Sequence, residues 1–342
     1  MSAHATHRRK TGYTLATSED SHGGKHRRSR DQGGSGGRSR LPTAWRIFSI
    51  LELLVLILVL TARHRDANDE VTGPNARPSL LDPTKVALMI DSRPSHLHVP
   101  LLLHFVSVVP SEWTFLFLGS EATVDSVKRT PAVKRLVDTG KIEARLLPAN
   151  VTITNAKQLS KFLTMPWTYR HVLHPAEHIL VYQTDSILCA NSARSVNEFL
   201  SWSWVGAPFT FMKYGGNGGL SLRRVSSIMS LLSQKSYDPR DRRPEDVWLA
   251  AEMRNIGIDD ICPRDIAKGW GSSSMYSHHP MSYHTGKNGK LLSEAQFGTV
   301  ALREELYEWC PEIKMHLDMD VASAFTRTCE PKWAKMQPIR DE

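Results

Sequence analysis

A chain of 342 residues with 41% hydrophobic and 23% charged residues, 19 Pro and 21 Gly has the make-up of one globular body with appendages, which excludes collagen-like, repeat-built and wholly disordered proteins. The net charge of +8 is unevenly placed: residues 1–46 hold ten Lys/Arg against three Asp/Glu, so +7 lies there and +1 in all that follows. No basic groove is expected in the folded body, and nucleic acid is not expected as a partner.

Residues 1–46 are rich in Ser, Gly, Arg and His and hold too few apolar residues to bury a core, which predicts a disordered basic tail. Residues 47–62 follow, with eight consecutive aliphatic residues from Leu53 to Leu60 and a single charge, Glu52. At about 1.5 Å per residue they span roughly 24 Å, enough for a transmembrane helix in a thin bilayer with snorkelling flanks. Basic residues are denser before this segment than after it, so the tail is expected to stay cytosolic and the C-terminal body to be exported, a single-pass type II signal anchor. Residues 63–84, with Pro74, Pro78 and Pro83, read as a stem.

From residue 85 strand and helix patterns alternate. Strands are expected at 86–90, 113–118, 142–147 and 179–183. Helices are expected at 96–109, at 124–137 with an interruption near Pro131, and from 155 to 162. This order predicts an α/β domain, a mostly parallel sheet with helices on both faces, over residues 85–327, with a tail at 328–342. Ligands of such sheets sit beyond the C-terminal ends of the strands. All four cysteines lie in the exported part, and Cys310 with Cys329 is the expected pair because both fall in the polar C-terminal segment. Asn150-Val151-Thr152 is an N-glycosylation sequon on that same side.

Four segments carry candidate chemistry. Asp185, with Ser186 beside it, follows an apolar strand; it is either a ligand for a hard divalent cation or a cap on the turn after the strand. In residues 214–219 four glycines fall in five positions, without the Lys-Ser/Thr ending of a phosphate loop or the spacing of a dinucleotide fingerprint. Asn217, Gly218 and Gly219 therefore mark either a flexible turn or backbone that approaches acceptor or sugar closely. Glu245 and Asp246 open a helix after Pro244, with Asp241 as a candidate cap; they are either favourable first-turn charges or a general base for a hydroxyl. Late in the chain, His284 could complete a metal site and Lys287 neutralise a leaving diphosphate.

In this order the segments resemble a type-A glycosyltransferase, a Rossmann-like nucleotide-sugar fold. They are also similar to a fungal family of glycosyltransferase-like domains of unknown function, numbered five-six-seven-two. The resemblance rests on residues 86–94 with 100–105, 161–167, 183–189, 205–208, 217–223 and 245–248. It implies a nucleotide-sugar donor, a divalent cation (Mn2+ or Mg2+), and a hydroxyl acceptor on a glycan, protein or lipid, in the Golgi or endoplasmic reticulum membrane with the catalytic domain lumenal. Asp185 and His284 would then hold the metal; Arg93, Asp185, Ser186 and Lys287 would contact the donor. Asp246 would be the base of an inverting transfer, with Glu245 positioning acceptor or backbone. The sequence departs from the resembling enzymes in one respect: Asp185-Ser186-Ile187 offers one carboxylate where their Asp-x-Asp motif has two. That departure supports an alternative, a catalytically silent relative that binds glycans or scaffolds other enzymes.

Overall fold

A computed structural model describes residues 80–238, 240–318 and 321, all within a unit from Pro78 to Glu342. The expected basic tail, the anchor at 47–62, most of the stem and the tail at 328–342 lie outside the described residues. Among the described residues no helix is long and apolar enough to cross a membrane.

The first strand, β1 (Asp82–Asp91), begins inside the expected stem, because Asp82 already pairs with Trp113 of β2 (Trp113–Gly119). With β3 (Ile142–Leu146) and β4 (His178–Tyr182) these strands run parallel in the order β3-β2-β1-β4. The sheet continues through β7 (Asn217–Arg224), antiparallel to β4, and ends at β6 (Trp204–Ala207), antiparallel to β7. The sheet is thus mostly parallel, with β7 the one reversed strand.

Alternation along the strands separates two cores. Ala87, Met89, Phe115, Phe117, Leu180 and Tyr182 face one, while Val86, Leu88, Leu116, Leu118, Ile179 and Val181 face the other. Both faces of the inner strands are buried, which is why their sequences are continuous apolar runs with no polar alternation. On the first side pack α1 (His98–Val108), α7 (Arg264–Trp270), α8 (Glu294–Phe297) and α9 (Val300–Trp309), through Phe105, Trp270, Phe297 and Leu306. On the second pack α4 (Ala156–Leu163), α5 (Val225–Gln234) and α6 (Glu245–Asn255), through Phe162, Ile228 and Leu249.

The expected break near Pro131 divides α2 (Glu121–Arg129), capped by Ser120, from α3 (Pro131–Asp138). Proline lacks the N–H a continuing helix requires and is well placed in a first turn. Asn155 caps α4 by accepting from the Gln158 N–H at 3.0 Å. The helix α6 starts after Pro244, while the candidate cap Asp241 instead pairs with Arg243 at 2.7 Å.

Beyond the main sheet, β5 (Ser186–Leu188) and β8 (Ser282–His284) form an antiparallel pair in which Ser186 sits opposite His284. The disulfide joins Cys189, one residue past β5, to Cys310 at the end of α9, with Cα atoms 4.9 Å apart. This corrects the expected Cys310–Cys329 pair: α9 returns the chain to the β5–β8 pair, and proximity in the polar C-terminal segment does not decide the partner. Cys329 lies outside the described residues. Cys262 is a buried free thiol that burial pushes up to about 12.

Candidate active site

The C-terminal ends of β1 and β4 lie side by side and open a cleft of about 230 Å3, lined among others by Ile90, Asp91, Arg93, Ile153, Asn155 and Asp185. Asp91 ends β1 nearly buried. Its carboxylate accepts from the Arg93 backbone N–H (2.9 Å) and Nε (3.1 Å), and His98 Nε2 lies 3.4 Å from its other oxygen. Burial opposes ionisation, yet His98 and Arg93 together hold Asp91 down at about 2. The Arg93 side chain is 70% exposed, lines the cleft and is held protonated above its usual range, by Asp91 first and also by Asp185.

Asp185 follows β4 by three residues. The β5–β8 pairing carries the end of β8 to it: the Thr285 N–H donates to Asp185 O at 2.9 Å, and His284 Nε2 stands 3.4 Å from Asp185 Oδ1. Residues a hundred positions apart are thereby brought into contact. Ser186, a candidate donor contact, is fully buried and its Oγ donates to Gly219 O at 2.7 Å. Lys287 is exposed on the turn after β8, in a left-handed conformation (φ 46°).

The glycines at the start of β7 are needed for these approaches. A Cβ on Gly219 would collide with Gln183 Oε1 and His284 Nε2, and one on Gly218 with Asp246 Cβ and Glu245 Oε1. Neighbours along a strand face opposite ways, so these two glycines separate the Asp185–His284 pair from the acidic pair of α6. Asn217 Oδ1 accepts from the Gly219 N–H at 2.7 Å and fixes the turn.

Glu245 and Asp246 have different surroundings. Glu245 accepts from Arg223 Nη2 (3.1 Å) and Ser160 Oγ (3.0 Å). The Arg223 guanidinium is itself 1% exposed, also bonds Gly218 O, and lies over the Trp204 ring at 4.2 Å. Glu245 therefore ties α6 to β7 and α4. Asp246 accepts only from backbone, the Gly218 N–H (2.8 Å) and the Val247 N–H (2.7 Å). Burial first, and the adjacent Glu245 charge second, raise it to about 6. A carboxylate tuned close to neutrality is suited to taking a proton.

One further group stands behind the pair. His316 is buried, its pKa is lowered to about 4 by burial, and it feels the charges of Asp185, His284 and His104. Asp91, Gln183 and His316 were not singled out from the sequence. Asp91 carries the same signal as Asp185, a carboxylate where an apolar strand ends; Gln183 and His316 carry none that is local.

Residues 141–284, the stretch from β3 to the end of β8, match the family described as Protein of unknown function (DUF5672). No curated protein matches the chain. Among solved structures it is similar to the mannosyltransferase PcManGT from Pyrobaculum calidifontis in complex with GDP-Man and Mn2+, at 14% identity and a TM-score of 0.38, over 61% of this chain and 66% of that one. The match thus spans just under two thirds of that protein's length. It is also similar to TarS of S. aureus in complex with UDP, at 11% identity and a TM-score of 0.36, over 74% of this chain and 76% of that one.

Proposed function

We propose that this chain transfers a sugar from a nucleotide-sugar donor to a hydroxyl acceptor. The observation that carries the reading is a cleft lined by Asp91, Arg93 and Asp185, the last paired with His284, with Asp246, whose pKa is raised, across the Gly218–Gly219 step of β7. In this reading the nucleoside occupies the cleft between the end of β1 and the start of α4. The diphosphate meets Arg93 and Lys287, and the acceptor lies against Asn217, Gly218 and Gly219. Asp246 takes the proton of the attacking hydroxyl in an inverting displacement, since an unassisted hydroxyl is a poor nucleophile at neutral pH.

Asp185 and His284 would hold the divalent cation, Mn2+ or Mg2+. Metal–oxygen bonds of about 2.1 Å at right angles place neighbouring ligand atoms about 3 Å apart, and the pair stands at 3.4 Å. A bound cation would neutralise the leaving diphosphate. The basic tail and the apolar stretch at 47–62 support a type II anchor with the catalytic domain in the lumen of the Golgi or endoplasmic reticulum, and Asn150, exposed in the loop after β3, would accept a glycan there.

One observation favours a second reading, a silent relative that binds glycans or scaffolds other enzymes: Asp185 is the single carboxylate of its motif. Thermal shifts of the full chain with nucleoside diphosphates, with and without Mn2+, followed by a transfer assay with matching nucleotide sugars, decide between them. Mn2+-dependent stabilisation together with transfer supports the enzyme. Stabilisation without transfer to any hydroxyl acceptor supports the silent relative, and no stabilisation by any nucleotide ends the donor-site assignment.

A further inference from the structure

Neither ring nitrogen of His316 has a hydrogen-bond partner, although the residue is only 2% exposed. Buried polar groups in folded proteins are nearly always paired, and a residue with two orphans calls for an absent partner. Its position is fastened from both sides. Before it, the turn at 311–315 packs on β5, Cys310 is bonded to Cys189, and the Ala190 N–H donates to Glu312 Oε1 at 3.3 Å. After it, Asp318 pairs with Lys290 (2.9 Å) and accepts from Asn288 Nδ2 (2.9 Å), both on the turn that follows β8. The segment is thus tied to the strand that Asp185 precedes and to the turn that His284 precedes. The charges that act on the ring are those of Asp185, His284 and His104, and His104 Nε2 is already engaged with Leu188 O at 2.7 Å.

We propose that His316 is a third protein group of the cation site at Asp185 and His284, its ring nitrogen holding a water bound to the ion. The proposal rests on the reading of that pair as a cation site. Contact through water follows from spacing: among the described residues the one trio of metal-ligand atoms within 4.8 Å of one another belongs to His278, His279 and Glu305, so His316 does not reach the pair directly. A neutral imidazole offers a lone pair to such a water, whose protons the cation polarises. The disulfide gains a role in this arrangement, since it fixes the turn bearing His316 against the strand at the root of Asp185. His316 is a positioning residue: it sets the site's affinity and touches no substrate.

The test is Mn2+ binding by the full chain in detergent, read from the electron paramagnetic resonance of free Mn2+, without any activity measurement. His316→Leu should weaken binding by about 10- to 100-fold, the usual effect of losing a group that supports a metal site from behind. Its apo melting temperature should stay level or rise, because two unpaired polar atoms leave the interior. His316→Asn or His316→Gln, which restore a polar atom near Nδ1 or Nε2, should recover most of the affinity in one case. Binding by His316→Leu within twofold of the parent overturns the proposal. Should that variant not fold, pulsed resonance on the parent with 15N-labelled histidine decides: a strongly coupled imidazole accompanied by a weakly coupled second one supports it, and a single coupled imidazole overturns it. If Mn2+ fails to bind the parent, or binds Asp185→Asn equally, the cation-site reading has failed and this inference with it. If binding needs Asp185 and His284 but not His316, this inference alone has failed.

Discussion

Two ion pairs flank the Gly218–Gly219 step of β7, and they differ in kind. On one side Arg223 and Glu245 are sealed: the guanidinium bonds Gly218 O, Ser221 Oγ and the carboxylate, and lies on Trp204. On the other side Asp185 and His284 meet at 3.4 Å with side chains 21% and 11% exposed, beside an open cleft and in front of a histidine without partners. A buried pair held by several partners joins elements, whereas a partly exposed pair beside a cleft has coordination to spare. The second kind of cluster is open to a ligand, and the first kind holds the elements around it in place.

Disrupting the sealed side should give the largest effect. Arg223→Met leaves Glu245 buried without a counter-charge and should lower unfolding stability by about 3–5 kcal/mol, measured by denaturant titration; a loss below about 1 kcal/mol would show that Glu245 finds another partner. Next, Asp246→Asn keeps the size of the side chain and one of its two backbone hydrogen bonds, since an amide nitrogen cannot accept from the second N–H, and removes the proton acceptor. Transfer should fall by about 10² or more with donor binding nearly unchanged, and a normal rate would reduce Asp246 to a helix N-terminal charge. A smaller effect is expected from Gly219→Ala. The new Cβ displaces the ends of Gln183 and His284, which are movable, so the fold should survive while Mn2+ affinity drops about tenfold. Unaltered Mn2+ binding by this variant would separate His284 from the cation site.

The difference between the two sides was only partly visible in the sequence. Residues 86–90 and 179–183 announce buried strands because their apolar runs are continuous, and β1 and β4 lie there; Asp185 stands out because such a run ends just before it. The reversed strand β7 was less legible, since its first half is glycine and asparagine, and only the fold shows that Gln183 and His284 need that space. The pair β5–β8 consists of three-residue strands, too short for any periodicity, yet it is what delivers His284 to Asp185. Glu245 and Asp246 look alike as neighbours; what tells them apart is Arg223, 22 residues upstream. Cys189 and His316 are identified only by contacts across more than a hundred residues of chain, which no local pattern encodes.

The smallest effect is one of pH, and its sign distinguishes the roles of two buried carboxylates. Asp246, raised to about 6 by burial and by Glu245, must be ionised to accept a proton, so the transfer rate should be level above pH 7 and fall about tenfold per unit once the pH is below 6. Stability should move the opposite way. An unfolded aspartate titrates near 4, so between pH 6 and 4 the folded chain binds more protons at this site than the unfolded one, and the Asp246 contribution to stability grows as pH falls. Asp91, held at about 2 by His98 and Arg93 against its burial, has a depressed pKa; its contribution is fully present above pH 4 and is lost only as pH falls from about 4 to 2, outside that window. Comparing the parent with Asp246→Asn isolates the first group: the stability difference should shift in the parent's favour between pH 6 and 4, while transfer by the parent declines. If stability and transfer instead decline together over that window, Asp246 is an ordinary ionised carboxylate and the base lies elsewhere on the rim.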